Sequence, residues 1–219
     1  MDIHFAEQLL ENATSVAIFG YGSLLWKPDF TYERREIGHI KGFVRRFYQG
    51  NITHRGTSET PGRCATLVKS NGGSVWGVAF NVEGKDEVRR AMCGLNLREM
   101  TLGGYILMTV TFYPRDGSPP RPVLVYTATE HNSLYLGSDS IPVEDIAKDI
   151  VAARGFAGSN VEYVTKMADF VREHIPEDDD EHLFSLDKYV RNHSRNILQS
   201  HNSSSNYERN VYHEAVTSR

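Results

Sequence analysis

Cysteine is nearly absent from the 219 residues: Cys64 and Cys93 are the only two. Two thiols exclude a disulfide framework of the kind that staples small secreted domains, and they leave no thiol-rich zinc site to build. Both read as buried free thiols. Long apolar runs are missing too. The longest, such as Val16 to Phe19 and Val123 to Val125, span a few residues, against about 20 for a membrane-crossing helix. The start of the chain carries Asp2, Glu7 and Glu11 without a cationic segment followed by an apolar one, so it does not read as a secretory signal. Nor is there an excess of positive charge. With 24 Lys plus Arg against 28 Asp plus Glu, the net charge is −4, which excludes a strongly basic nucleic-acid binder. The nine histidines are scattered without H-x-x-x-H or H-E-x-x-H spacing, so neither a metal nor a cofactor is expected. The expectation is a cytoplasmic protein with no membrane, nucleic-acid or obligate protein partner.

What the chain does contain is an ordinary globular balance, 40% hydrophobic and 24% charged residues. No Pro/Gly/Ser-rich linker divides it, so a single domain over 15–198 is read, between a weakly helical lead-in over 1–14 and a mobile polar tail over 199–219. β-type stretches run at Ser15 to Gly20, Gly38 to Tyr48, Cys64 to Lys69, Ser74 to Val82, Tyr105 to Tyr113 and Pro122 to Thr129. Their short separations favour antiparallel pairing over helical crossovers. One helix interrupts them, Asp86 to Leu95, with Val88, Ala91, Met92 and Leu95 on one face.

Helical patterning takes over after residue 138. A helix from Pro142 stops near Gly155, and Ser159-Asn160-Val161-Glu162 has the form of a capping box opening a second. A third is expected from about Asp179 to Leu198, its acidic start explained by the helix dipole. Strands first and helices last predict an α+β fold: a mostly antiparallel, barrel-like sheet with flanking helices.

Three segments carry candidate chemistry. Strand one empties into Gly20-Tyr21-Gly22-Ser23-Leu24-Leu25-Trp26, where two glycines either make a tight turn of positive φ or let an anionic ligand approach backbone N–H groups. A dinucleotide fingerprint is incomplete, because Leu25 stands where a third glycine is needed. Glu99 lies at an apolar junction before Gly103-Gly104, where partial desolvation would raise its pKa towards that of a useful base; a solvated pair with Arg98 is the alternative. In the polar stretch from Gln49 to Arg63, either Arg55 or Arg63 is suited to pair with a substrate carboxylate. Ser23 lacks the G-x-S-x-G elbow of a serine hydrolase.

Taken in order, the segments resemble the ChaC family of glutathione-specific γ-glutamylcyclotransferases. The likeness rests on Ile18-Phe19-Gly20-Tyr21-Gly22-Ser23-Leu24 with Trp26, Arg45-Arg46-Phe47-Tyr48-Gln49-Gly50, His54-Arg55-Gly56, Pro61-Gly62-Arg63, Val75-Trp76-Gly77, Arg98-Glu99 before Gly103-Gly104-Tyr105, and Asn160-Val161-Glu162-Tyr163. It covers residues 15–198. The chain departs from it modestly, with Tyr48 where relatives often have Trp and Ser138 where they often have Pro. The resemblance implies a γ-glutamylcyclotransferase-like fold, a small β-barrel with flanking helices. It further implies that Ile18, Phe19, Gly20, Tyr21, Gly22, Ser23 and Leu24 hold the γ-glutamyl group, that Tyr163 lines the same pocket, and that Glu99 is the catalytic carboxylate. The implied reaction is cyclisation of glutathione to 5-oxoproline and cysteinylglycine, with no protein nucleophile and no cofactor. Alternatives are the same ring closure on another γ-glutamyl compound and a binding protein that does not turn over.

Overall fold

The computed structural model describes residues 13–193. Residues 1–12 of the expected lead-in, the part of the third expected helix beyond 193 and the expected polar tail lie outside the described residues. Five strands close into a barrel in the order β1-β3-β2-β4-β5: β1 Ser15–Gly20, β2 Arg34–Asn51, β3 Gly62–Glu83, β4 Ile106–Pro114 and β5 Arg121–Thr127. All neighbours pair antiparallel except β1 with β5, which meet in parallel at Ile18 and Leu124 and close the barrel. The two stretches expected at 64–69 and 74–82 are the arms of one strand, β3. Both arms pair with β2, across a register shift opposite Lys41 and Phe43, and only the second arm also pairs with β1. Such a shift lets a long strand bend around a small barrel without losing its ladder.

The barrel is filled by the inward residues of each strand, among them Phe19, Ile40, Val78, Phe112 and Val125, all essentially buried. Phe19 and Phe112 sit with ring centroids 5.7 Å apart in a tilted pair. Helix α1, Lys85–Leu95, buries Val88, Ala91, Met92 and Leu95, the face that its spacing predicts. Cys93 falls off that stripe and is exposed, while Cys64 is buried; the expectation of two buried thiols is corrected for Cys93, because one residue past Met92 rotates a side chain by about 100° around a helix.

Helix α2, Val143–Ala152, and helix α3, Asn160–His174, follow on the outside, joined by the short hairpin β6 Arg154–Gly155 and β7 Gly158–Ser159. Ser159 caps α3, its hydroxyl accepting from the Glu162 N–H at 3.2 Å. The other half of the expected capping box does not form, because the Glu162 carboxylate is drawn to Arg55 and Lys166 instead. Residues 181–193 are helical, here α4, and bury Leu183, Leu186 and Val190. Its acidic approach does more than answer a dipole. Asp180 caps the Leu183 N–H at 3.0 Å, and Asp178 and Asp180 both hold the guanidinium of Arg45, which projects from β2 and is completely buried. Arg45 also donates to the Trp76 carbonyl at 2.7 Å, so one side chain ties the segment before α4 to two barrel strands.

Candidate active site

A cavity of about 560 Å³ opens where β1 ends, bounded by the loop after β1, the turn after α1, the loop after β2 and one face of α3. Its size falls within the roughly 300–1,000 Å³ usual for small-molecule sites. Phe19, Gly20, Tyr21, Gly22, Ser23, Leu24, Arg55, Glu99 and Tyr163 all line it. Ile18 does not: it is fully buried in the barrel wall opposite Phe80 and Leu124. Successive strand residues point to opposite faces, so Ile18 and Phe19 cannot both reach the cavity. Of the two candidate arginines, Arg55 lines the cavity and Arg63 is committed elsewhere, to Asp149 at 2.7 Å and to the Leu136 carbonyl.

The loop after β1 is shaped by close approach rather than by positive φ. Neither Gly20 nor Gly22 has a left-handed backbone. A Cβ at Gly20 would stand 2.7 Å from the Leu24 Cβ, and one at Gly22 would stand 3.2 Å from the Tyr163 hydroxyl, inside the cavity. Gly20 is therefore set by close packing against Leu24 and Phe80, and it is the missing side chain of Gly22 that leaves backbone open beside a hydroxyl of the cavity wall. Residues Ser23–Leu25 make one 3₁₀ turn, in which the N–H groups of Leu25, Trp26 and Lys27 bond to the Gly22 and Ser23 carbonyls. The first N–H groups of a helical turn have no partner within it, and here they belong to residues that line the cavity.

Glu99 is carried by a wide π turn, Asn96–Thr101, continuous with α1. The Leu102 N–H reaches back to the Leu97 carbonyl at 3.1 Å, and the Tyr105 N–H closes on the Glu99 carbonyl at 2.9 Å. A π insertion swings side chains out of the helical register and recurs at functional sites. Here it delivers a carboxylate with a side chain 16% exposed. Burial raises its pKa above the ordinary glutamate range, and the Arg98 guanidinium, with Nε 3.1 Å from Oε1, opposes part of that rise.

The walls around Glu99 are phenolic. The Tyr21 hydroxyl donates to the Tyr126 carbonyl at 3.0 Å, that of Tyr105 donates to the Ala65 carbonyl at 2.7 Å, and that of Tyr163 accepts from the Ala65 N–H at 3.1 Å. Burial first, and the Glu99 charge among the further causes, push the pKa values of these three phenols up, so they are neutral donors across the physiological range. The Cys64 thiol is pushed up to about 12 by burial and then by Glu99, which leaves it protonated and a poor nucleophile. Ser23 is no better placed: its hydroxyl faces the Arg98 Nη2 at 2.6 Å. Among the described residues no group of three or more His, Cys, Asp or Glu side chains is arranged to hold a metal ion.

Arg98 enters the resemblance without a role of its own, and its contacts supply one. Besides Glu99 it holds the Ser23 hydroxyl, the Lys27 carbonyl at 3.0 Å and Asp29 at 3.1 Å, so it fixes the loop after β1 against the π turn. Replacing Arg98 by Met should lower kcat/KM by about 100-fold through misplacement of the two halves. It should also move the acidic limb of the pH profile upwards, because the cation that lowers the Glu99 pKa is gone. A limb that stays in place would contradict this role. His54, Phe156 and Lys166 also line the cavity, although the sequence reading gave none of them a role: His54 stands in a stretch that carries the resemblance, and Lys166 lies outside those stretches.

The chain resembles known proteins over most of its length. A family model described as ChaC-like protein matches residues 16–193. A relative from Danio rerio, glutathione-specific gamma-glutamylcyclotransferase 1, is 44% identical over 193 residues, covering 88% of this chain and 97% of its own. The human protein of the same name is 47% identical over 171 residues, covering 77% of this chain and 75% of its own. The crystal structure of a γ-glutamyl cyclotransferase specific to glutathione from yeast superimposes with a TM-score of 0.74 at 25% identity, over 82% of this chain and 97% of that one.

Proposed function

Because the chain belongs to the ChaC family, we propose that it cyclises the γ-glutamyl group of glutathione, releasing 5-oxoproline and cysteinylglycine, with Glu99 as the general acid and base. The relatives carrying that activity in their names supply the substrate. The observation that carries the catalytic assignment is a largely buried carboxylate on a π turn that lines one cavity together with the loop after β1.

The chemistry fits this inventory. The donor's own α-amine reaches its γ-carbonyl carbon and closes a five-membered lactam, so no side-chain nucleophile is needed. The new bond is between that nitrogen and the carbonyl carbon; the bond that breaks is the amide C–N to cysteinylglycine. The α-ammonium begins with three protons and the lactam nitrogen keeps one. Glu99 passes the other two, one at a time, to the departing nitrogen, which leaves as the ammonium of cysteinylglycine. A base with a pKa raised towards that of the amine exchanges these protons at less cost than an ordinary glutamate. The amides of the loop after β1 and the Tyr163 hydroxyl, whose proton is not spent on a backbone carbonyl, stabilise the developing oxyanion and fix the folded donor. Both cysteines are free, as suits the reducing cytosol in which we place the reaction.

The test is cysteinylglycine release from reduced glutathione, with γ-glutamyl-alanine as the competing donor. Preferential turnover of glutathione is expected. Equal turnover of the two would replace glutathione by γ-glutamyl compounds in general, and failure on both would refute the reading.

A further inference from the structure

If ring closure takes place beside Glu99, the dipeptide half of the donor must point away from it. The inner end of the cavity holds Glu99, the buried Arg55 and Tyr163, and the amide loop. At the mouth stand Phe156, 76% exposed, and two lysines, Lys27 and Lys166, whose side chains are 61% and 50% exposed. Two extended residues span about 7 Å, which places the glycine carboxylate of the donor about that far from the reacting centre.

The cations deeper in the site are held by the protein at the inner end, where the glutamyl half of the donor would sit. Arg55 donates to the Ser159 carbonyl at 3.0 Å and to Glu162 at 3.2 Å, and Arg98 is spread over the loop and Glu99. Lys27 sits in irregular chain, with its ammonium 3.7 Å from Asp29. Lys166 is different. It lies on α3 one turn beyond Glu162 and Tyr163, on the face that lines the cavity, and Glu162 Oε1 holds its ammonium at 2.6 Å. Glu162 thus bridges an inner arginine and an outer lysine, and it occupies one of three donors on the lysine. Beside this mouth the Phe156 ring is fixed against His54, centroids 4.6 Å apart, by bonds from the Phe156 and Ala157 N–H groups to the Thr53 and His54 carbonyls.

We infer that Lys166, aimed by Glu162 at the mouth of the cavity, forms a distal subsite that binds the terminal carboxylate of the departing dipeptide. This assignment rests on the proposed reaction for its orientation. It makes Lys166 a specificity residue: a γ-glutamyl donor without a carboxylate at that distance gains nothing from it.

The experiment compares glutathione with its isostere in which the glycine carboxylate is a primary amide. Binding is read by calorimetry in the Glu99→Gln background, where the donor is not consumed, and turnover is read with Glu99 intact. With Lys166 present, glutathione should bind about tenfold more tightly than the amide, a charge-assisted contact at a partly exposed rim. Lys166→Met, with Lys166→Gln as a second variant, should remove that preference and leave the amide's affinity unchanged; kcat/KM on glutathione should fall by about the same factor. A preference that survives both substitutions overturns the subsite. So does an equal loss for the two donors, which would mean that Lys166 acts only through Glu162 and Arg55. Loss of the preference in Lys27→Met but not in Lys166→Met would overturn it as well. The two readings fail separately: a Lys166-dependent binding preference without 5-oxoproline refutes the reaction and leaves the subsite standing, whereas turnover of glutathione without that preference refutes only the subsite.

Discussion

Glu99→Gln should abolish turnover by about 100- to 10,000-fold, the range for removal of one placed base, while the protein folds normally. The substitution keeps the size and the hydrogen-bonding shape of the side chain and removes only its capacity to exchange a proton. It should also change stability in a way that betrays the site. Burial raises the Glu99 pKa in the folded chain, so the wild type loses stability as pH rises from the ordinary glutamate range up to that folded value. The amide introduced by Glu99→Gln does not titrate. The variant is therefore expected to be more stable than the wild type at neutral and alkaline pH, and the two should converge below the ordinary glutamate range. An inactive variant with that stability pattern places a desolvated carboxylate at the centre of the reaction. The same raised pKa puts the acidic limb of wild-type kcat/KM above the ordinary glutamate range. A variant that is active, or less stable at pH 8, would contradict the role given to Glu99.

The second large effect is expected from a residue that does not line the cavity. Arg45→Met removes the cation shared by Asp178 and Asp180, and the Asp178 side chain is only 4% exposed. Breaking a buried pair from one side costs about 3–5 kcal/mol, because the remaining charge has no partner. The midpoint of denaturant unfolding should fall accordingly, with the slope unchanged. Burial already pushes the Asp178 pKa up and Arg45 opposes it, so without the arginine the carboxyl protonates more readily. The destabilisation should therefore be smaller in acid than at neutral pH, and adding Asp178→Asn should recover part of it. A loss below about 1 kcal/mol at pH 7 would mean that the residual charge is solvated after all.

Much of this architecture was legible because the information is local. The stripe Val88, Ala91, Met92 and Leu95 sets the buried face of α1, and Ser159 marks the start of α3 through a bond three residues away. The glycines at 20 and 22 were readable as either a turn or a cradle, and only the neighbours decide between them: Leu24 and Phe80 crowd the first, the Tyr163 hydroxyl the second. What escaped depends on pairs distant in the chain. Arg45 and Asp178 are 133 residues apart, and nothing near either one announces the other. The continuity of β3 was hidden by its Asn-Gly-Gly segment, which reads as a strand end but lies at a register shift within one strand. Barrel closure rests on the parallel pairing of β1 with β5 at Ile18 and Leu124, and Lys166 reaches the cavity only because α3 packs across the loop after β1. Candidates inside recognisable stretches, Glu99, Arg55 and Tyr163 among them, were found, whereas Lys166, outside any such stretch, was not.

The most direct measurement is the identity of the glutamyl product when reduced glutathione is the donor. Attack by the donor's own amine yields 5-oxoproline and cysteinylglycine in equal amounts, with no free glutamate and no oxygen incorporated from labelled water. Free glutamate carrying solvent oxygen would mean that water, not the substrate amine, is the nucleophile in this cavity, and the account of Glu99 and the amide loop would have to be abandoned.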